Sequence, residues 1–76
     1  MDKDKKDSLI RKLTSMENNT EEPLNWYDGG GAIVQRLQYN YYALFYVPSY
    51  GGEPQFEAMY TKRTLDSLVD KAYTFT

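Results

Sequence analysis

The sequence contains no cysteine and no histidine in 76 residues. Without cysteine the chain has no disulfide, no thiolate nucleophile and no cysteine ligand for zinc. Without histidine it has no side chain that titrates near pH 7 at its ordinary pKa, and no base for a catalytic triad. A chain of this length forms one small domain, with little room for both a core and a deep catalytic cleft. We therefore expect a protein that is not an enzyme and that carries no metal and no cofactor.

Long apolar runs are missing as well. No stretch approaches the ~20 apolar residues that a membrane-spanning helix needs. Residues 1–7 are mostly Asp and Lys, so the N-terminus lacks the apolar segment of a signal peptide. These absences predict a cytoplasmic protein that makes no contact with a membrane.

Tyrosine compensates for a small supply of aliphatic residues, because it occurs eight times and each aromatic ring can bury ~150–250 Å². We expect about half of the tyrosines to complete the core. Tyr39, Tyr60 and Tyr73 are predicted to be interior, whereas Tyr42, Tyr46 and Tyr50 are predicted to lie on the surface.

Charge is distributed unevenly, although the net charge is only −2. Residues 17–28 contain four acids and no base, and three glycines follow directly at 29–31. We interpret residues 1–7 as a flexible N-terminus, residues 8–76 as a single domain, and residues 18–31 as an acidic, glycine-rich connector with a hinge at the glycines. The acids are either solvated or form a contact for a basic, nucleic-acid-binding partner: Glu17, Glu21, Glu22 and Asp28.

Apolar residues recur at helical spacing near both ends of the chain. The first pattern predicts a helix near residues 6–17, and the second, with spacing i, i+3, i+4 and i+7, predicts an amphipathic helix near the C-terminus. The residues that carry the two patterns are Leu9, Ile10, Leu13 and Met16, and then Leu65, Leu68, Val69 and Ala72.

Residues 32–47 alternate in the manner of a β-strand but exceed the usual length of one strand. They predict either two strands, about 32–39 and 41–47, that meet near Asn40, or one long bent strand. Residues 48–54 form a loop with proline at both ends, and residues 55–61 form a further strand that pairs with 41–47 as a hairpin.

These elements predict an α+β fold in the order α-β-β-β-α, with a three-stranded antiparallel sheet and both helices packed on one face. We expect the helices to cover the odd-numbered positions of residues 32–47, which include Ile33 and Phe45. The even-numbered face is then left uncovered, and it is the predicted contact surface.

The candidate partner-binding residues come from this face, the connector and the hairpin loop: Trp26, Arg36, Tyr42, Leu44, Tyr46, Tyr50 and Met59. Aromatic residues, methionine and arginine are typical of the centres of protein interfaces. The sequence therefore predicts a protein-binding module. A homodimeric structural protein is one alternative, because an apolar face or an unprotected edge strand can pair with a second copy.

Nucleic-acid binding is the other alternative, since aromatic rings on a sheet can stack on bases. The order α-β-β-β-α, with Lys62 and Arg63 at the start of the last helix, is similar to that of double-stranded-RNA-binding domains, and the resemblance implies that activity. The chain departs from the family at Asp66 and Asp70, where the family has more lysine, and it lacks the loop rich in Gly, Pro and His. The negative net charge also disfavours direct binding of nucleic acid.

A short, cysteine-free and aromatic chain also resembles, in general type, the small phage-encoded proteins that bind and disable a host protein. This resemblance implies an inhibitor in the host cytoplasm that occludes a functional surface of its target. The target would be a nucleoid, transcription or defence protein.

Overall fold

The structure, a computed structural model, describes residues 1–75. It has two helices and four strands, and the strands form one antiparallel sheet in chain order. The α+β class is therefore confirmed, whereas the prediction of three strands is wrong. The elements are α1 (Lys3–Thr14), β1 (Glu21–Tyr27), β2 (Gly30–Arg36), β3 (Tyr41–Val47), β4 (Gln55–Thr61) and α2 (Leu65–Ala72), with short 3₁₀ turns at Gln38–Asn40 and Lys62–Thr64.

The additional strand, β1, lies inside the segment that was predicted to be a connector. Asp28 and Gly29 have φ of 53° and 75°, and two successive positive φ values are what a two-residue type I′ hairpin requires. The predicted hinge is also wrong, because Gly30 already belongs to β2. A Cβ atom at Gly30 would lie 2.6 Å from the carbonyl oxygen of Val47, so glycine is required there by the close approach of two backbones.

Helix α1 begins earlier than the sequence predicted. The carboxylate of Asp2 accepts a hydrogen bond from the backbone N–H of Lys5 at 2.8 Å and caps the helix. Residues 3–7, which were predicted to be flexible, are therefore helical. The helix ends at Thr14 rather than near residue 17, whereas α2 covers the segment that its periodicity predicted.

Residues 32–47 form two strands, and the predicted turn at Asn40 is confirmed. Tyr39 and Asn40 both have φ of 62° in the turn between β2 and β3. This left-handed conformation is common for asparagine and uncommon for a bulky side chain. Tyr39 is 86% exposed, so the prediction that it belongs to the core is wrong.

Both helices pack on one face of the sheet, as predicted, but it is the face of the even-numbered residues. The buried core joins residues from the two helices to residues from β1, β2 and β3: Leu13, Leu24, Ala32, Val34, Tyr42, Leu44, Leu65, Leu68, Val69 and Ala72. Tyr60 and Tyr73 pack against this core and are partly buried. The predicted assignment of the two faces is therefore wrong, because Tyr42 and Leu44 lie beneath the helices.

Neither helix in residues 1–75 has the length and apolar character that crossing a bilayer requires.

Candidate functional site

One face of the sheet has no helix packed on it within residues 1–75. It carries the odd-numbered residues of β2 and β3, and the register sets Phe56 and Met59 of β4 beside Phe45 and Ala43. The shortest dimension of the molecule is 17 Å, which accommodates the sheet and a single layer of helices. We refer to this surface as the open face, and its apolar residues are Ile33, Tyr41, Ala43, Phe45, Phe56 and Met59.

Three large side chains of the open face are about half exposed: Tyr41 by 46%, Phe56 by 57% and Met59 by 48%. Phe45 is half-buried, and its ring meets the edge of Phe56 with 5.8 Å between the ring centres. Since one aromatic side chain presents ~150–250 Å², the apolar area in solvent is on the order of 300 Å². The largest apolar patch on a typical monomer measures ~300–600 Å² and is often functional, so this patch lies at the lower end of that range.

The two edges of the sheet are poorly suited to pairing with another strand. The register of β1 is interrupted between Leu24 and Tyr27, and that of β4 is interrupted opposite Leu44 and Phe45. Strand β1 also contains Pro23, which has no N–H to donate. Such irregularities protect edge strands from unwanted pairing. The face of the sheet, rather than either edge, is therefore the candidate contact surface.

Arg36, a predicted site residue, fastens helix α1 to the sheet instead of facing a partner. Its Nη1 donates hydrogen bonds to the carbonyl oxygens of Thr14 and Met16, both at 2.7 Å. Its Nη2 donates to Oδ1 of Asn40 at 2.9 Å. A cation that binds the last carbonyls of a helix stabilises its C-terminal end. The guanidinium is therefore not available to a ligand.

Tyr42 and Leu44, two further predicted site residues, are fully buried. The hydroxyl of Tyr42 donates a hydrogen bond to the carbonyl oxygen of Leu13 at 2.9 Å, and the Arg36 guanidinium lies 5.3 Å from the ring centre. Burial raises the pKa of Tyr42 above its usual value of 10.0, and the positive charge of Arg36 opposes that rise. Both side chains belong to the core, so their assignment to a contact surface is wrong.

The remaining predicted contact residues do not form one surface. Met59 lies on the open face. Trp26 is 45% exposed in the irregular part of β1, and Tyr50 is 88% exposed in the loop between β3 and β4. Tyr46 is half-buried, with its ring 5.1 Å from that of Phe75 at 68°, and it lines a cleft at one end of the sheet.

The four acids of residues 17–28 are also separated in the structure. Glu17 precedes β1, and Glu21 and Glu22 are adjacent in β1, so their side chains point to opposite faces. Glu22 forms an ion pair with Lys12 of α1. Asp28 lies in the turn at the far end of β1. The acids therefore do not combine into one contact for a basic partner.

Five apolar residues of the open face were not among the predicted contact residues. Four of them have large side chains, namely Ile33, Tyr41, Phe45 and Phe56, and the fifth is Ala43. The period-2 alternation separated the first three correctly from the even-numbered residues. It gave no signal for which set faces the helices, because both sets are apolar.

Within residues 1–75 no three carboxylates lie close enough together to hold a metal ion. Comparisons with protein-family models, with curated proteins and with solved structures gave no match.

Proposed function

We propose that the chain is a non-enzymatic protein-binding module and that the open face is its contact surface. The observation that supports this proposal is an apolar patch, centred on Tyr41, Phe56 and Met59, that neither helix covers. Tyr, Phe and Met are enriched at the centres of protein interfaces, whereas Lys and Glu are depleted.

The partner is a separate protein that binds reversibly. The core is filled by the chain's own side chains, so folding does not require a second chain. A standard interface buries ~800 Å² on each partner, and obligate homodimers bury considerably more. The open face exposes less apolar area than an obligate dimer needs, which favours a non-obligate partner that also contacts the polar surroundings of the patch.

Charge argues against nucleic acid as the ligand of this face. Strand positions of the open face carry neither Lys nor Arg among residues 1–75, whereas phosphate contacts supply most of the affinity for nucleic acid. Lys62 and Arg63 lie beyond the end of β4, in the turn Lys62–Thr64. The element order α-β-β-β-β-α also differs from the predicted resemblance to double-stranded-RNA-binding domains.

An inhibitory role remains part of the proposal. A small rigid domain that covers an apolar site on another protein would block whatever that site binds. The expected sign of inhibition is that the captured protein loses its own activity when the chain is added in equimolar amount, and regains it when the open face is altered.

The experiment is affinity capture from a lysate of the source cell, with a variant that removes the patch. Phe56→Ser/Met59→Ser is expected to abolish retention of a specific protein. The lost Phe45–Phe56 ring pair and the half-buried area of the two side chains together cost about 3 kcal/mol. Circular dichroism must therefore show a folded variant before its capture is compared with that of the wild type. The matched control is Tyr39→Ser/Tyr50→Ser, which removes two exposed rings outside the open face and should leave capture unchanged.

Three results would overturn the proposal. Equal capture by the wild type and by the open-face variant would exclude this surface. Dimers in sedimentation experiments that disappear in the same variant would assign the face to a second copy of the chain. Binding of RNA or DNA that falls steeply with salt, and that Lys62→Gln/Arg63→Gln abolishes, would assign the chain to nucleic acid.

A further inference from the structure

A cleft of about 530 Å³ opens at one end of the molecule, and none of the six apolar residues of the open face lines it. It lies between the β1–β2 turn, the start of the β3–β4 loop and the segment after α2. Its aromatic walls are Tyr27, Tyr46, Tyr73 and Phe75, and Asp28 lies at its rim. Its volume falls in the range of ~300–1,000 Å³ that ligand sites usually have.

The walls of the cleft are held in place by specific contacts. The side-chain amide of Asn25 donates hydrogen bonds to the carbonyl oxygens of Phe75, at 2.9 Å, and Ala72, at 3.3 Å. These bonds fix the segment after α2 against β1. On the opposite side, the backbone N–H of Tyr50 donates to the carbonyl oxygen of Asp28 at 2.7 Å. The cleft is therefore formed before any ligand binds.

The electrostatics of the cleft favour a cation. Among the described residues that line it, Asp28 is acidic and none is basic. The faces of aromatic rings attract cations as well. Outside the lining, Lys5 Nζ already lies 5.4 Å from the centre of the Tyr73 ring, so a bound cation would use the other rings of the wall.

The ring geometry favours a planar cation. The rings of Tyr46 and Phe75 meet at 68°, so a flat group that stacks on one ring presents its edge to the other. A guanidinium group has five N–H donors in one plane, and the residues that line the cleft include three tyrosines and Asp28, whose side-chain oxygens can accept hydrogen bonds. A quaternary ammonium would leave those acceptors without donors.

We propose that this cleft binds an arginine side chain of a protein partner. The cleft shares none of the apolar residues of the open face. This proposal depends on the proposed function in one respect, namely that the arginine belongs to a protein partner. A small arginine probe tests the cleft without that partner.

The experiment is an NMR titration of the ¹⁵N-labelled chain with N-acetyl-arginine amide. A ligand of this size in an open cleft should bind with a dissociation constant of roughly 1 mM. The shifts should be confined to residues that line the cleft, among them Asp28, Tyr46 and Phe75. N-acetyl-citrulline amide has nearly the same shape without the charge, and it should bind about three- to tenfold more weakly.

Two matched variants separate a local contact from overall charge. Asp28→Asn keeps a residue that tolerates the left-handed turn conformation and should weaken binding of the arginine probe about three- to tenfold. Glu53→Gln removes the same charge from a residue of the β3–β4 loop outside the lining and should leave binding unchanged.

Equal binding of the arginine and citrulline probes, or equal loss in the two variants, would overturn the proposal. If tetramethylammonium binds more tightly than the arginine probe, the natural ligand of the cleft is a methylated ammonium group and not arginine. Binding of the probe together with unchanged capture by Phe56→Ser/Met59→Ser would support the cleft while refuting the open face, so the two proposals fail separately.

Discussion

Replacing Arg36 by methionine tests whether this side chain holds the molecule together or serves a partner. Methionine keeps most of the aliphatic stem but loses the two bonds to the carbonyl oxygens of Thr14 and Met16. A hydrogen bond to a charged group contributes about 1.5–3 kcal/mol. Because the side chain is only partly buried, we expect Arg36→Met to lower the free energy of unfolding by about 2–3 kcal/mol in total.

The magnitude is large for a chain of this size. A domain of about 76 residues has a free energy of unfolding of roughly 4–11 kcal/mol, and each kcal/mol lost lowers Tm by about 4–8 °C. Arg36→Met should therefore stay folded at 25 °C but melt roughly 10–20 °C earlier. Urea unfolding followed by circular dichroism and by the fluorescence of Trp26 measures the change.

Tyr42→Phe provides a graded comparison in the same contact. It removes the bond to the Leu13 carbonyl oxygen, which still accepts the N–H of Met16 at 3.2 Å. The expected loss is therefore about 1 kcal/mol, at most half of that for Arg36→Met. Arg63→Met, at an exposed position, is the control and should change stability by less than ~0.5 kcal/mol.

The reasoning would be refuted if Arg36→Met changed the free energy of unfolding by less than ~0.5 kcal/mol and also abolished capture of the partner. Arg36 would then be a contact residue, as the sequence suggested, and the contacts to α1 would contribute little. Equal losses for Arg36→Met and Arg63→Met would likewise refute the reasoning from charged hydrogen bonds.

Three further predictions concern protonation and backbone conformation. The pKa of Tyr42 is raised above 10.0 in the folded state. The stability that comes from keeping this proton is therefore fully present below pH 10 and is lost as the pH rises through the folded pKa. Above pH 10, the urea midpoint of Tyr42→Phe should fall less steeply with pH than that of the wild type. Gly29→Ala places a side chain at φ of 75° without a steric clash, so its cost in urea unfolding should be purely conformational, about 1–2 kcal/mol. Tyr39→Asn relieves the same left-handed strain at an exposed position and should raise the free energy of unfolding by up to about 1 kcal/mol.

The helices and three of the four strands could be predicted because their apolar residues repeat at regular spacing. Strand β1 could not be found by that signal. Pro23 and the left-handed Asn25, with φ of 52°, interrupt its alternation, and an edge strand tolerates both features. The pair Asp28-Gly29 was a usable signal, because this dipeptide between two apolar segments is typical of a type I′ hairpin.

The contact surface could not be predicted because the two faces of the sheet have similar composition. Tyr41 and Tyr42 are neighbours of the same residue type, yet the first is 46% exposed and the second is buried. The distinction arises from two features that the alternation does not contain. Leu24 of the unrecognised strand adds apolar area to the even-numbered face. Arg36 and Tyr42 donate hydrogen bonds to carbonyl oxygens of α1, which packs on that face.

The chain-order arrangement of the four strands has a consequence for folding kinetics. Each strand pairs with its immediate neighbour in the sequence, so the hairpins close short loops, which favours rapid folding. The helices are the exception. Arg36 and Tyr42 bond to the carbonyl oxygens of Met16 and Leu13 across 20 and 29 residues, and Asn25 bonds to that of Phe75 across 50. The attachment of α1 through Arg36 and Tyr42 therefore closes a longer loop than a hairpin does. We expect this attachment to form after the transition state, so that weakening it accelerates unfolding and leaves the refolding rate nearly unchanged.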